Sequence, residues 1–87
     1  MGTGLLKSLE RESEMCRIAI ADLKSRVQGF ETRYGISSEN FYRRFTKGEL
    51  GDDLDYFEWK ALIEGLQEWE KTDRELKELI DAQRSTG

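Results

Sequence analysis

A chain of 87 residues with 37% hydrophobic and 37% charged side chains, no proline and a net charge of −4 has room for one domain, which is expected to be helical. The acidic balance argues against broad binding to nucleic acid or to an anionic membrane, since both need many Lys and Arg contacts to phosphate. The absence of histidine removes the usual general base near neutral pH and the commonest metal ligand, and the single cysteine, Cys16, has no partner for an internal disulfide.

Met1 to Gly4 carries no pattern and reads as a frayed start. From Leu5 the chain becomes helical. Leu6, Leu9, Ser13, Cys16, Ile20, Leu23, Val27, Phe30 and Tyr34 recur at alternating steps of three and four residues, a heptad seam with one polar position at Ser13. Gly35 suits the left-handed conformation just past a helix end, with Ile36 placed to pack back on the last turn. The spacing therefore predicts a long helix over about 5–34.

Ser37 or Ser38 restarts the chain as a helix cap, because a serine oxygen accepts from free backbone N–H groups of a first turn. A short helix over about 38–47 follows, with Phe41, Tyr42 and Phe45 near one face and Arg43, Arg44 and Lys47 mostly elsewhere. It is expected to fold as a cap over the end of the long helices. Gly48 ends it, Gly51 turns the loop, and Asp53 or Asp55 starts the next helix. Asp55 with Glu58 resembles a capping box, and Leu54 is placed to staple to Trp59.

The last helix, over about 54–82, repeats the seam: Trp59, Leu62, Leu66, Trp69, Asp73, Leu76 and Ile80, again with one polar position, Asp73. A fold-back pairs Leu6 with Ile80, Leu9 with Leu76, Ser13 with Asp73 and Cys16 with Trp69, so that the two polar positions meet. A shifted register would set Asp73 against an apolar residue at a cost of a few kcal/mol. Residues from about Ala82 are expected to fray. The fold class is thus all-α: one domain spanning residues 1–87, built as two long antiparallel helices in a coiled-coil-like hairpin with a short helix in the connection.

Catalytic and metal chemistry find little support. Cys16 sits on the apolar seam with no histidine near it in sequence, and reads as a small buried thiol. Glu49, Asp52, Asp53 and Asp55 could in principle bind a hard cation, but a calcium loop counted from Asp53 places Phe57 at its fifth position and Glu58 where glycine is required. Helix capping and pairing with Arg43 or Arg44 explain these carboxylates better. Arg33, Arg43, Arg44 and Lys47, with the interleaved Phe41, Tyr42 and Phe45, form the one patch able to touch nucleic acid, yet no helix-turn-helix or aromatic RNA-binding pattern accompanies them. No enzyme activity, cofactor or metal is expected. No apolar run reaches the length of a membrane span or signal segment, so membrane insertion is not expected and a cytoplasmic location is.

The stretch from Tyr34 to Leu62 reads YG-x-SSE-x-FY-x-RF, then GELGDD, then DYFEW-x-AL. It resembles a group of small helical prokaryotic proteins, common in archaea and cyanobacteria, that look like the antitoxins of type II toxin–antitoxin pairs. The resemblance covers about a third of the chain. It implies a protein that binds and neutralises a toxin encoded beside it, often a ribonuclease, and it supplies no catalytic residues to carry over. The DNA-binding segment of many antitoxins has no counterpart here.

On that reading Phe41, Tyr42, Phe45, Tyr56 and Phe57 are candidate anchors for a protein partner, Glu49, Asp52 and Asp53 candidate steering charges, and Arg43 and Arg44 a candidate charged hot spot. Met15, Ile18, Phe57, Ile63 and Leu79 fall outside or beside the seams, so a homodimer of two hairpins is expected, or another protein covering the same face. A self-associating scaffold or adaptor with no toxin partner is the alternative.

Overall fold

In the computed structural model, which describes residues 2–86, three helices follow in order: α1 (Gly2–Tyr34), α2 (Ser38–Thr46) and α3 (Leu54–Thr86). There is no strand among the described residues. α1 is helical from Gly2 rather than from Leu5, and α3 runs on past Ala82 to Thr86. The expectations for Met1 and Gly87 lie outside the described residues.

α1 packs along α3, with polar contacts near both ends of the pair. Arg33 at the end of α1 bonds to Asp55 at the start of α3 at 2.9 Å, and Glu10 near the start of α1 bonds to Arg84 near the end of α3 at 2.5 Å. The pair is long and thin, 55 × 20 × 17 Å. Its radius of gyration of 17.1 Å compares with about 12 Å for a compact chain of this length.

The seam of α1 is the one its sequence predicts: Ser13, Cys16, Val27 and Phe30 are buried, and Leu6, Leu9, Ile20, Leu23 and Tyr34 are half-buried. That of α3 keeps Trp59, Asp73 and Ile80 buried, with Leu66 and Leu76 half-buried, as expected, but differs at the positions between. Ile63 is buried where Leu62 was expected to be, and half-buried Glu70 takes the inward position while Trp69 stays 40% exposed. Leu62 remains half-buried at the edge.

The register differs as well. Phe30 stacks on Trp59 with ring centroids 5.6 Å apart, and Tyr34 lies over the same indole at 5.8 Å. Carried down the pair, this alignment sets Asp73 beside Cys16, while Ser13 shares a groove with Lys77 and Ile80. Burial raises the pKa of the Cys16 thiol, and the Asp73 and Glu12 charges raise it further. Asp73 Oδ2 pairs with Lys77 Nζ at 3.1 Å, but Oδ1 is buried with no hydrogen-bond donor. The expected meeting of Ser13 and Asp73 gives way to the alignment imposed by the aromatic residues at the other end.

Candidate functional site

The densest part of the molecule is the closed end, where the chain turns twice within 20 residues. Gly35 makes the first turn at φ +64°, its N–H donating to Glu31 O at 2.8 Å. Such a backbone angle suits glycine, which has no Cβ to clash. Ser37 then caps α2 by accepting from the Asn40 N–H at 3.1 Å, and Glu31 Oε2 accepts from the Ser38 N–H at 2.7 Å. Gly48, at φ +76°, ends α2, with the Glu49 N–H returning to Arg44 O at 3.0 Å.

α2 is pinned to the long pair by aromatic stacking. Phe41, 1% exposed, lies flat on the fully buried Trp59, centroids 3.9 Å apart and planes 6° from parallel. Phe45 stacks on Phe41 at 5.3 Å, and Tyr56 meets both rings at a steep angle. The Trp59 Nε1–H donates to Ser38 Oγ at 2.9 Å, and the Tyr42 hydroxyl donates to Glu64 at 2.8 Å. Val27, Phe30 and Ile63 complete the buried cluster, with Ile36, Leu50 and Leu62 half-buried around it.

Asp53 caps α3 from the position just before it, its Oδ1 accepting from the Asp55 N–H at 2.9 Å. This leaves Asp55 for a different task from the expected capping box. It accepts from the Tyr34 hydroxyl at 2.6 Å and from Arg33 at 2.9 Å, tying the end of α1 to the start of α3. The hydrogen bond from Tyr34, with that of Arg33, holds the Asp55 carboxyl below its ordinary pKa despite the opposing effect of burial. The same hydrogen bond, with burial and nearby carboxylates, pushes Tyr34 up to about 12, and the bond to Glu64 raises Tyr42. The expected staple between Leu54 and Trp59 does not form: Leu54 is 84% exposed.

The sequence-derived candidates divide by exposure. Phe41 is core, so in this conformation it positions α2 and does not present a contact surface; Tyr42, Phe45 and Tyr56 are half-buried and offer edges only. Phe57 is 52% exposed and supported from beneath by the edge of Phe45 at 5.3 Å. Glu49, Asp52 and Asp53 are exposed in the loop before α3. Arg43 is held by Asn40 at 2.8 Å and Arg44 lies 3.7 Å from Glu49, so both are partly engaged within the chain. Among the described residues, no group of three or more Cys, Asp and Glu side chains is placed to hold a metal ion.

Sequence reasoning gave Leu54 the role of a staple and did not count it among the candidate anchors. This residue lies three residues before Phe57 on α3, which makes the two surface neighbours. The signal was available, since Leu54 falls off the heptad phase of the last helix. Together they form a small apolar patch at the start of α3, with the exposed Asp53 just before Leu54 and the exposed Glu58 one turn after it.

No family model matches the chain, and neither a curated protein nor a solved structure matches it. Among the described residues, no helix is long and apolar enough to cross a membrane.

Proposed function

We propose that this chain is an antitoxin-like protein-binding module: an antiparallel, coiled-coil-like hairpin whose closed end docks on a basic protein surface and covers it. In the reading favoured by the stretch from Tyr34 to Leu62, the partner is a toxin encoded nearby, a ribonuclease, neutralised because its surface is occluded. One observation carries the proposal. Leu54 and Phe57 stand exposed at the start of α3, Phe57 against the ring of Phe45, and Glu49, Asp52, Asp53 and Glu58 are exposed in the same stretch of chain. Apolar anchors at the centre supply affinity and surrounding charges supply steering and orientation. The module acts by binding, with no bond made or broken.

The test is growth of cells expressing the neighbouring gene with and without this chain, followed by co-purification. Rescue with a stable complex is expected. Rescue without any complex would overturn occlusion as the mechanism. Replacing Asp52 and Asp53 with lysine should slow association at low salt, and an unchanged rate would remove steering from the account.

The exposed apolar residues farther along the long helices, Met15, Ile18, Trp69 and Leu79, favour a second reading, a self-associating scaffold without a toxin. A scaffold melts at a temperature that rises with its own concentration whether or not any partner is present.

A further inference from the structure

The two exposed apolar residues at the start of α3 are supported unequally. Leu54 is 84% exposed, whereas the ring of Phe57, 52% exposed, is met edge-on by that of Phe45, with centroids 5.3 Å apart and planes at 84°. Perpendicular pairs at this separation are a favoured arrangement of aromatic rings.

Phe45 is itself held from the core. Phe41 lies four residues before it, on the same face of α2, and the two rings stack at 5.3 Å with planes 14° apart. Phe41 in turn lies flat on the fully buried Trp59. Tyr56 meets Phe41 at 5.6 Å and Phe45 at 6.1 Å, so the residue next to Phe57 is packed by the same two rings. The turn that carries Phe45 is closed as well, its carbonyl accepting from the Gly48 N–H at 3.0 Å. Trp59, Phe41, Phe45 and Phe57 thus form one continuous series of ring contacts. It leaves α3 in the core, passes through α2, and returns to α3 two residues earlier at a half-exposed side chain.

A phenylalanine on a helix surface chooses chiefly between two χ1 wells, and a ring that moves between them loses that freedom when a partner closes over it. In the free chain the ring of Phe57 already rests against Phe45. We infer that Phe45 is a positioning residue for the docking site: α2 holds its ring so that the ring of Phe57 is fixed in the orientation a protein partner receives. The nine-residue α2 thereby serves binding without having to touch the partner. The inference rests on the docking through Leu54 and Phe57 proposed above, and adds to it how the site is made rigid. Immobilising one such side chain in advance changes affinity about two- to tenfold.

The test is a thermodynamic cycle on affinity for the neighbouring gene product. Phe45→Leu, which keeps an apolar side chain beside Phe41 and removes the ring that meets Phe57, should weaken binding about two- to tenfold in the otherwise wild-type chain. In a Phe57→Ser background the same substitution should leave affinity unchanged, because Phe45 acts through Phe57. Phe45→Tyr, which keeps the ring, should bind as the wild type does. A second measurement needs no partner: three-bond couplings to Cγ of Phe57 should report a single χ1 rotamer in the wild type and in Phe45→Tyr, and an average of rotamers in Phe45→Leu. If Phe57→Ser alone leaves affinity unchanged, it is the docking reading that fails. If Phe57→Ser weakens binding while Phe45→Leu does not, or weakens it equally in both backgrounds, the positioning inference is overturned and docking stands. Averaged couplings in the wild type, or couplings that ignore Phe45→Leu, overturn it without any partner.

Discussion

Replacing Phe41 with alanine should release α2 while leaving the long pair folded. Phe41 is 1% exposed, and truncating a buried phenylalanine costs about 3–5 kcal/mol, with ~0.5–1.5 kcal/mol from the stacking geometry on Trp59 within that range. What else holds α2 is modest. The bonds from Trp59 to Ser38 and from Tyr42 to Glu64 contribute about 1 kcal/mol each, and the edges of Phe45 and Tyr56 somewhat more. A helix of nine residues has little stability by itself, so loss of the stack removes most of what docks it. The long pair keeps its contacts from Ser13 to Ile80. Hydrogen exchange read by mass spectrometry should show Phe41 to Thr46 losing protection in the variant, while the middles of α1 and α3 keep most of theirs. Trp59 emission should shift to the red against a constant background from Trp69. Equal loss of protection throughout the chain, or unchanged protection in α2, would refute the reasoning.

Other outcomes follow from the same contacts. Asp73→Leu should raise the melting temperature by several degrees, because a buried oxygen without a donor costs about 1–3 kcal/mol and an exposed lysine partner returns less than about 1 kcal/mol; a lower melting temperature would contradict that account. Tyr34 is raised to about 12 in the folded chain, while an unfolded tyrosine ionises near 10, so its contribution is complete below about pH 10 and lost as pH rises toward 12. Urea unfolding across that window should show a smaller fall for Tyr34→Phe than for the wild type, and equal falls would count against the Tyr34–Asp55 bond. Asp55, held low, contributes above about pH 4 and loses that contribution as pH falls below it. Gly35→Ala should cost about 1–2 kcal/mol in chemical denaturation, since alanine must adopt a left-handed backbone there.

Local signals in the sequence located the elements well. Gly35 and Ser37 bracket the first turn as expected, and the α1 seam is legible because most of its large apolar residues occupy one phase. α3 was harder for a physical reason. Leu62 and Ile63, Leu66, Trp69, Leu76 with Leu79 and Ile80 supply two adjacent heptad phases, and periodicity alone does not say which one faces α1. The choice is made at the closed end, where Trp59 is clamped between Phe30 and Phe41 and fixes the rotation of the helix. The same clamp moved Asp73 from Ser13 to Cys16. Polar pairing was a reasonable guide to register, but three stacked rings outweigh one serine hydroxyl.

At the candidate site, the aromatic residues singled out in the sequence divide between core and surface. Phe41, Tyr42, Phe45 and Tyr56 share an aromatic character that serves cores and interfaces equally, and in this fold most of that area is spent on holding α2. Phe57 remains outside because it precedes the seam position of Trp59 by two residues, which turns it to the opposite side of the helix, and Leu54 remains outside with it. Of the two aspartates that the sequence offered as the start of α3, Asp53 is the cap, which leaves Asp55 free for Tyr34 and Arg33.

The central claim is that the closed end binds a protein partner through Leu54 and Phe57. Titration calorimetry of the neighbouring gene product with wild type and with a Leu54→Ser, Phe57→Ser double variant tests it most directly, because both side chains are at least half exposed and the fold does not depend on them. The account predicts affinity weaker by about tenfold or more in the double variant, as for loss of central anchors. Unchanged affinity, with the variant still fully helical, would contradict it.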